Sequence, residues 1–448
     1  MNRLLLLLIG LLSCLTAHSF PINIKGVDTT RTAIIIYDLK WGINLVNVNA
    51  DKPLIPASVT KSVTTASLLN LADGEECFIT PIVAEGEIRD SVLNGNVIIR
   101  VCGDPTIESA CFEEAQGFAD GIVGGLKSLG IKEVTGNVVV DDSGFPDATT
   151  PPGWMAEDIV WPYGARLHGA NFRDNRFRLR LPSKTTIPEV PDLRFSFSNP
   201  QRRGLKIDRK DGSETMLISG NSKRGFSDSF STPYPSKVMR NEVLERMKTS
   251  GIEVRYQKTP EAKTSRTVYN HKSPTFASIM RSLMFRSDNL MAEGMLRAIS
   301  PGGTRTEAIN EEMAVWAMAG IAGGGVKIVD GSGLSRDNRL TARFLSDIYR
   351  QMLHEEFGQE YTTFFPRAGL DGTMKGFLAN SPLEGKVAMK TGSMKGVQSY
   401  GGYLLDDSGT PTHVIVFIAN GFTCSRSALK NAFQRLLLEL FDVSLQEN

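Results

Sequence analysis

The chain has 448 residues, 41% hydrophobic and 22% charged, enough for two or three cores. Its 50 Lys and Arg offset 49 Asp and Glu to a formal charge of +1, which gives no electrostatic case for a nucleic-acid partner or an anionic membrane surface. Past residue 14 the cysteines are Cys77, Cys102, Cys111 and Cys424, spaced unlike a zinc ribbon or a redox pair, and no metal or cofactor is implied.

At the start, Asn2-Arg3 precedes an apolar run over 4–12 and a small-residue exit at Ala17-His18-Ser19. This pattern predicts a secretory signal over 1–19, too short to span a bilayer, and hence export to the periplasm or cell envelope. Leu11-Leu12-Ser13-Cys14 offers the alternative of a lipoprotein site with Cys14 lipidated, which would anchor the protein peripherally. In an oxidising compartment Cys102 and Cys111 could pair; equally, all four later cysteines could be small core residues.

β-type runs at 33–37 and 43–46, separated by Gly42, predict a hairpin leading to Pro56 and then a helix packed by small and apolar residues over 63–71. From Cys77 the texture changes. Strands are predicted over 78–83 and 97–101 with Asn94-Gly95 as the turn, a helix over 112–129 and a strand over 138–140, which together suggest a separate α+β unit. Residues 183–235, rich in Pro, Ser, Lys and Arg, read as a small β insertion. Helical periodicity returns over 238–247, 276–284, 291–299, 307–318 and 340–352. The last part alternates as antiparallel strands over 386–389, 397–405 and 414–419, and ends in an apolar-faced helix over 428–441. That helix lacks a strongly basic face, so it is expected on the sheet and not on a membrane. The glycines at 323–325 lack the strand-to-helix setting of a phosphate loop.

The chemistry is concentrated in three short stretches. Ser58 and Lys61 are spaced to share one face at the start of a helix, which puts a hydroxyl beside an amine that burial could keep neutral. About one such pair is expected by chance, and its bland reading is a helix cap followed by a solvated lysine. Two partners decide in favour of chemistry: Ser287-Asp288-Asn289 in a break between helices, and Lys390-Thr391-Gly392-Ser393 at the end of a predicted strand. No Gly-x-Ser-x-Gly is present, and His168, His271, His354 and His413 stand in no motif of a Ser-His-Asp hydrolase.

In this order the three motifs resemble the penicillin-recognising serine D-Ala-D-Ala peptidases of the penicillin-binding protein 4 type (the S13 serine peptidases). Residues 54–58, 103–106, 330–335 and 368–373 strengthen the likeness. The long separation of Ser58 from Ser287 excludes the spacing of class A β-lactamases. The resemblance implies an α+β fold of the β-lactamase/transpeptidase type, with an antiparallel catalytic sheet between helices built from 20–76 and 273–448. An α+β insertion would occupy 77–182 and 236–272, with the small β part at 183–235 inside it.

The resemblance also implies roles. Ser58 would be the nucleophile and Lys61 the base, its pKa lowered by burial and by the charge of Lys390. Ser287 would relay a proton, Asn289 would bind the substrate backbone, and Lys390, Thr391 and Ser393 would hold the terminal carboxylate, with Gly392 allowing close approach. Asp158, near Gly153-Trp154 and Tyr163, would meet an amino group on the peptide, and Met394 would touch substrate or fill the sheet surface. Expected partners are peptidoglycan stem peptides as substrates and β-lactams as covalent inhibitors. The rival readings are a β-lactamase or esterase on this scaffold, or a wall-binding or β-lactam-sensing protein with little turnover.

Overall fold

The computed structural model describes residues 21–221, 225–259 and 264–441. The predicted signal segment, with Cys14, lies outside them. Strands β1 (Thr32–Asp38) and β2 (Ile43–Val48) form the predicted hairpin. Alternation sorts β1 into two cores: Ala33 and Ile35 face one side of the sheet, Ile34 and Ile36 the other. The chain then enters helix α1 (Thr60–Leu71), whose residues from Thr60 to Leu69 are all buried.

The next region has its own core. Strands β3 (Ile79–Arg89) and β4 (Val92–Arg100) pair antiparallel, and β5 (Glu133–Val134) and β6 (Val138–Asp141) add to β4 in parallel. The Asn94-Gly95 turn expected from the sequence is not there. Both residues lie inside β4, and the hairpin turns at Asp90 and Ser91, which have φ of 52° and 66°. Gly95 instead sits opposite Gly86, where a Cβ would come 1.8 Å from the Glu85 carbonyl, so the glycine serves a close strand approach. Helix α2 (Phe118–Ser128) begins later than expected, after Gly117 at φ 81°, because residues 105–117 are taken up by turns.

Two small three-stranded sheets are built from strands within 176–219 and 226–231. One is β7 (Arg176–Leu181) between β8 (Thr185–Ile187) and β12 (Phe226–Ser231); the other is β11 (Thr215–Ser219) between β9 (Arg194–Ser198) and β10 (Lys206–Asp208). Helix α3 (Pro235–Thr249) packs on α2, and β13 (Glu253–Val254) and β14 (Ser265–Lys272) complete the larger sheet.

Helices α4 (Phe276–Arg286), α5 (Asn289–Ile299), α6 (Arg305–Met318) and α7 (Ala342–Met352) surround α1 and join one core. Thr304 and Glu307 close a capping box on α6, and the Thr341 hydroxyl caps α7. Strands β15 (Val387–Met394), β16 (Val397–Leu405) and β17 (Pro411–Asn420) extend the first hairpin into an antiparallel sheet ordered β15-β16-β17-β1-β2. The final helix, Arg426–Phe441, lies on the sheet face opposite α7 and buries Leu429, Phe433 and Leu437. The helix–sheet–helix layering expected from the sequence is therefore present. Among the described residues no helix is long and apolar enough to cross a membrane.

The cysteines follow neither expectation. Cys77, Cys102, Cys111 and Cys424 are free thiols, none fully buried. Cys102 is exposed and its thiol turns toward the Ile79 carbonyl, whereas Cys111 is partly buried against the core around α1.

Candidate active site

Ser58 sits in a short turn, Ala57–Val59, that feeds α1 directly; Ala57 is held at φ 48°, an unfavourable region for a residue with a side chain. One turn on, Lys61 is fully buried. Its Nζ lies 3.2 Å from Ser58 Oγ, 2.6 Å from Asn289 Oδ1 and 2.5 Å from the Ser332 carbonyl oxygen. The last two atoms can only accept. A neutral lysine therefore gives them its two N–H bonds and has its lone pair left for the Ser58 hydroxyl, the one partner able to donate.

Burial lowers the Lys61 pKa to about 8, against the opposing charges of Asp330, Asp288 and Glu293. Burial, the first of the expected causes, is the principal one. Lys390 is pushed well below its ordinary value by burial first and by the charge of Lys61 second.

The second motif lies where α4 ends and α5 begins. Ser287 closes α4 at φ 59°, and the Asp288 carboxylate caps α5 by accepting from Met291 N at 2.9 Å. Ser287 Oγ accepts from Lys390 Nζ at 2.9 Å. The Asn289 amide is engaged at both ends, with Lys61 at its oxygen and the Tyr163 carbonyl 2.7 Å from its nitrogen.

The third motif lies within β15, paired with β16, and not at a strand end. Lys390 is fully buried and also donates to the Thr391 carbonyl at 2.9 Å, while Thr391 Oγ1 meets Thr373 Oγ1 at 2.9 Å. At Gly392 a Cβ would stand 2.3 Å from Ser399 Oγ, 2.7 Å from the Pro56 carbonyl and 2.9 Å from Ser58 N. Glycine thus lets β15 close on the Ser58 backbone.

Ser58, Ser287, Asn289, Ser393, Met394 and Asp158 all line one cleft of about 860 Å³, with the two lysines beneath its surface. Asp158 accepts from the Tyr163 hydroxyl at 2.8 Å. Sequence reasoning missed Glu157, Arg336 and Lys395 on the same cleft, and it gave no role to Ser332, whose backbone oxygen grips Lys61. The only signal for Ser332 was its place in the Gly-rich run 330–335.

A serine held against a buried lysine of lowered pKa, beside a lysine-bearing strand of an antiparallel sheet, defines a serine acyl-transfer enzyme of the penicillin-binding class. Residues 24–438 match the D-Ala-D-Ala carboxypeptidase 3 (S13) family, and the chain belongs to that family. It is a serine-type D-Ala-D-Ala carboxypeptidase. The chain is 24% identical to the D-alanyl-D-alanine carboxypeptidase DacB of Haemophilus influenzae over 94% of its own length and 91% of the relative's. It is 23% identical to a D-alanyl-D-alanine carboxypeptidase of an Actinomadura species, over 87% and 78% of the two chains. Its fold matches the crystal structure of penicillin binding protein 4 from Haemophilus influenzae with a TM-score of 0.79 at 23% identity, covering 93% of this chain and 97% of that one.

Proposed function

We propose that Ser58 forms the acyl-enzyme on the penultimate D-alanine of a peptidoglycan stem peptide, with Lys61 as the base. The observation that carries this reading is the lysine's surroundings, two obligate acceptors and one hydroxyl. The Ser58 proton passes to Lys61, Oγ bonds to the carbonyl carbon, and the backbone N–H groups of Ser58 and Ser393 receive the oxyanion. Collapse breaks the C–N bond. The departing D-alanine nitrogen takes the proton back from Lys61, relayed by Ser287, and water later cleaves the ester.

Lys390, with the Thr391 and Ser393 hydroxyls, holds the free carboxylate of the peptide and of a β-lactam alike. Asn289 orients Lys61 as well as meeting the substrate backbone. Asp158 and Met394 contact the stem-peptide side chain. Cross-linked peptides are cleaved by the same chemistry, which makes the protein an endopeptidase as well. Residues 1–19 direct export to the envelope, with lipidation at Cys14 as the alternative processing. Residues 77–272 act as one insertion in the catalytic domain.

A fluorescent penicillin should label the wild-type chain and fail to label Ser58→Ala, and the wild type should release D-alanine from a pentapeptide. Labelling without D-alanine release would make the protein a sensor. Digestion of purified cross-linked muropeptides tests the endopeptidase assignment, which unchanged dimers would refute.

A further inference from the structure

Asp330 is fully buried, and its carboxylate accepts four hydrogen bonds, all from N–H groups. Oδ1 accepts from Gly333 N at 2.9 Å and Asn338 Nδ2 at 2.6 Å; Oδ2 accepts from Ser335 N at 2.6 Å and Trp154 Nε1 at 2.8 Å. Every acceptor direction is met by a donor, so the group cannot turn without breaking at least one bond.

The Gly333 N–H belongs to the same peptide unit as the Ser332 carbonyl, and that peptide is trans. In a trans unit N–H and C=O point in opposite directions. Holding the N–H on Asp330 therefore aims the carbonyl away from Asp330, where it meets Lys61 Nζ. Glu293 Oε1 fixes the preceding amide by accepting from Ser332 N at 2.9 Å. The second acceptor of Lys61 is set in a parallel way. Asn289 gives its NH₂ to the Tyr163 carbonyl, which leaves its oxygen to face the lysine. Trp154 and Tyr163 belong to one short segment, so this single stretch steadies both acceptors.

We propose that Asp330 is a positioning residue: together with Trp154 it locks the Ser332 peptide so that the lone pair of neutral Lys61 is left only the Ser58 hydroxyl. The segment holding Trp154 and Tyr163 then belongs to the acylation machinery and is more than a wall of the cleft. The proposal rests on Lys61-assisted acylation of Ser58. Failure of that reading would show separately, as a wild-type chain that does not take up penicillin on Ser58.

The test is benzylpenicillin acylation of the full chain, comparing wild type, Trp154→Phe and Asp330→Asn, with the noncovalent binding step and the acylation step resolved from the concentration dependence. Trp154→Phe removes one N–H donor and keeps the ring. It should slow the acylation step about tenfold while leaving noncovalent binding and the melting temperature close to wild type. Asp330→Asn should slow acylation about a hundredfold. It also removes one of three carboxylates whose charge acts on Lys61, leaving Asp288 and Glu293 against the opposing Lys390, so Lys61 should lose its proton more readily. The acid limb of the acylation rate should then move to lower pH. A residue whose charge does not reach Lys61 would change rate or melting temperature with the limb fixed. Wild-type acylation by Trp154→Phe, or an unmoved limb in a folded Asp330→Asn, overturns the proposal; if Asp330→Asn does not fold, Trp154→Phe decides alone.

Discussion

The floor of the cleft and its β15 wall each bury a lysine completely, yet they surround it in unlike ways. Lys61 on the floor has three acceptors at hydrogen-bonding distance and feels three carboxylates, so its charge is tolerated and its pKa falls only to about 8. Lys390 on the wall meets one hydroxyl and one carbonyl, and its pKa falls well below the ordinary value. Burial is the same; the countercharges differ. The floor suits a group that gains and loses a proton during the reaction. The wall suits a cation that is completed by an anion from outside, the carboxylate of the ligand.

Removing either amine is the most direct way to break this contrast. Lys61→Ala should lower penicillin acylation by about four orders of magnitude while the protein remains folded; near-normal labelling would remove Lys61 from the role of base. Lys390→Ala should weaken penicillin and peptide together, by about a hundredfold each, because both carry the carboxylate. An effect on one ligand alone would contradict the shared anion site. A finer test uses the inactive Ser58→Ala protein. Binding a carboxylate-bearing peptide should favour proton uptake, read by calorimetry in buffers of different ionisation heat, because the ligand's charge raises the Lys390 pKa.

Moving the wall from the floor is a milder perturbation. Gly392→Ala should slow acylation about tenfold, since the added methyl would press on Ser399, Pro56 and the Ser58 backbone together.

The smallest expected effect lies behind the floor. Glu312 is fully buried beside the Thr64 and Ser67 hydroxyls. Burial raises its pKa from 4.5 to about 8. The folded protein therefore keeps a proton that the unfolded chain gives up above the lower value, and the associated stability is lost as pH rises through the higher one. Glu312→Gln should stabilise the fold by roughly 1–3 kcal/mol at pH 8 and less at pH 5, measured by denaturant unfolding at the two pH values.

Much of this site was legible from residue types. The Ser58–Lys61 spacing, the turn at Ser287 and the alternation of the last three strands each report a local rule, and the motifs mark the correct elements. What was not legible depends on backbone direction or on distant partners. Nothing in Ser332 as a letter says that its carbonyl faces Lys61, and Trp154 carries no sign that its N–H reaches Asp330. Asn94-Gly95 looked like a turn because a glycine beside an asparagine usually permits one; the tight approach to Gly86 used the same property inside a strand. The acidic surroundings of Lys61 were missed for a related reason, since Asp330, Asp288 and Glu293 come together around it only in the folded chain.

The central claim is that Ser58 is acylated through a neutral Lys61, and the pH dependence of benzylpenicillin acylation at limiting concentration tests it most directly. With the adduct located by peptide mass, the rate should climb with pH through about 8 and then level, following loss of the lysine's proton, with all label on Ser58. Label on another residue, or a rate that does not change across that range, would contradict the account.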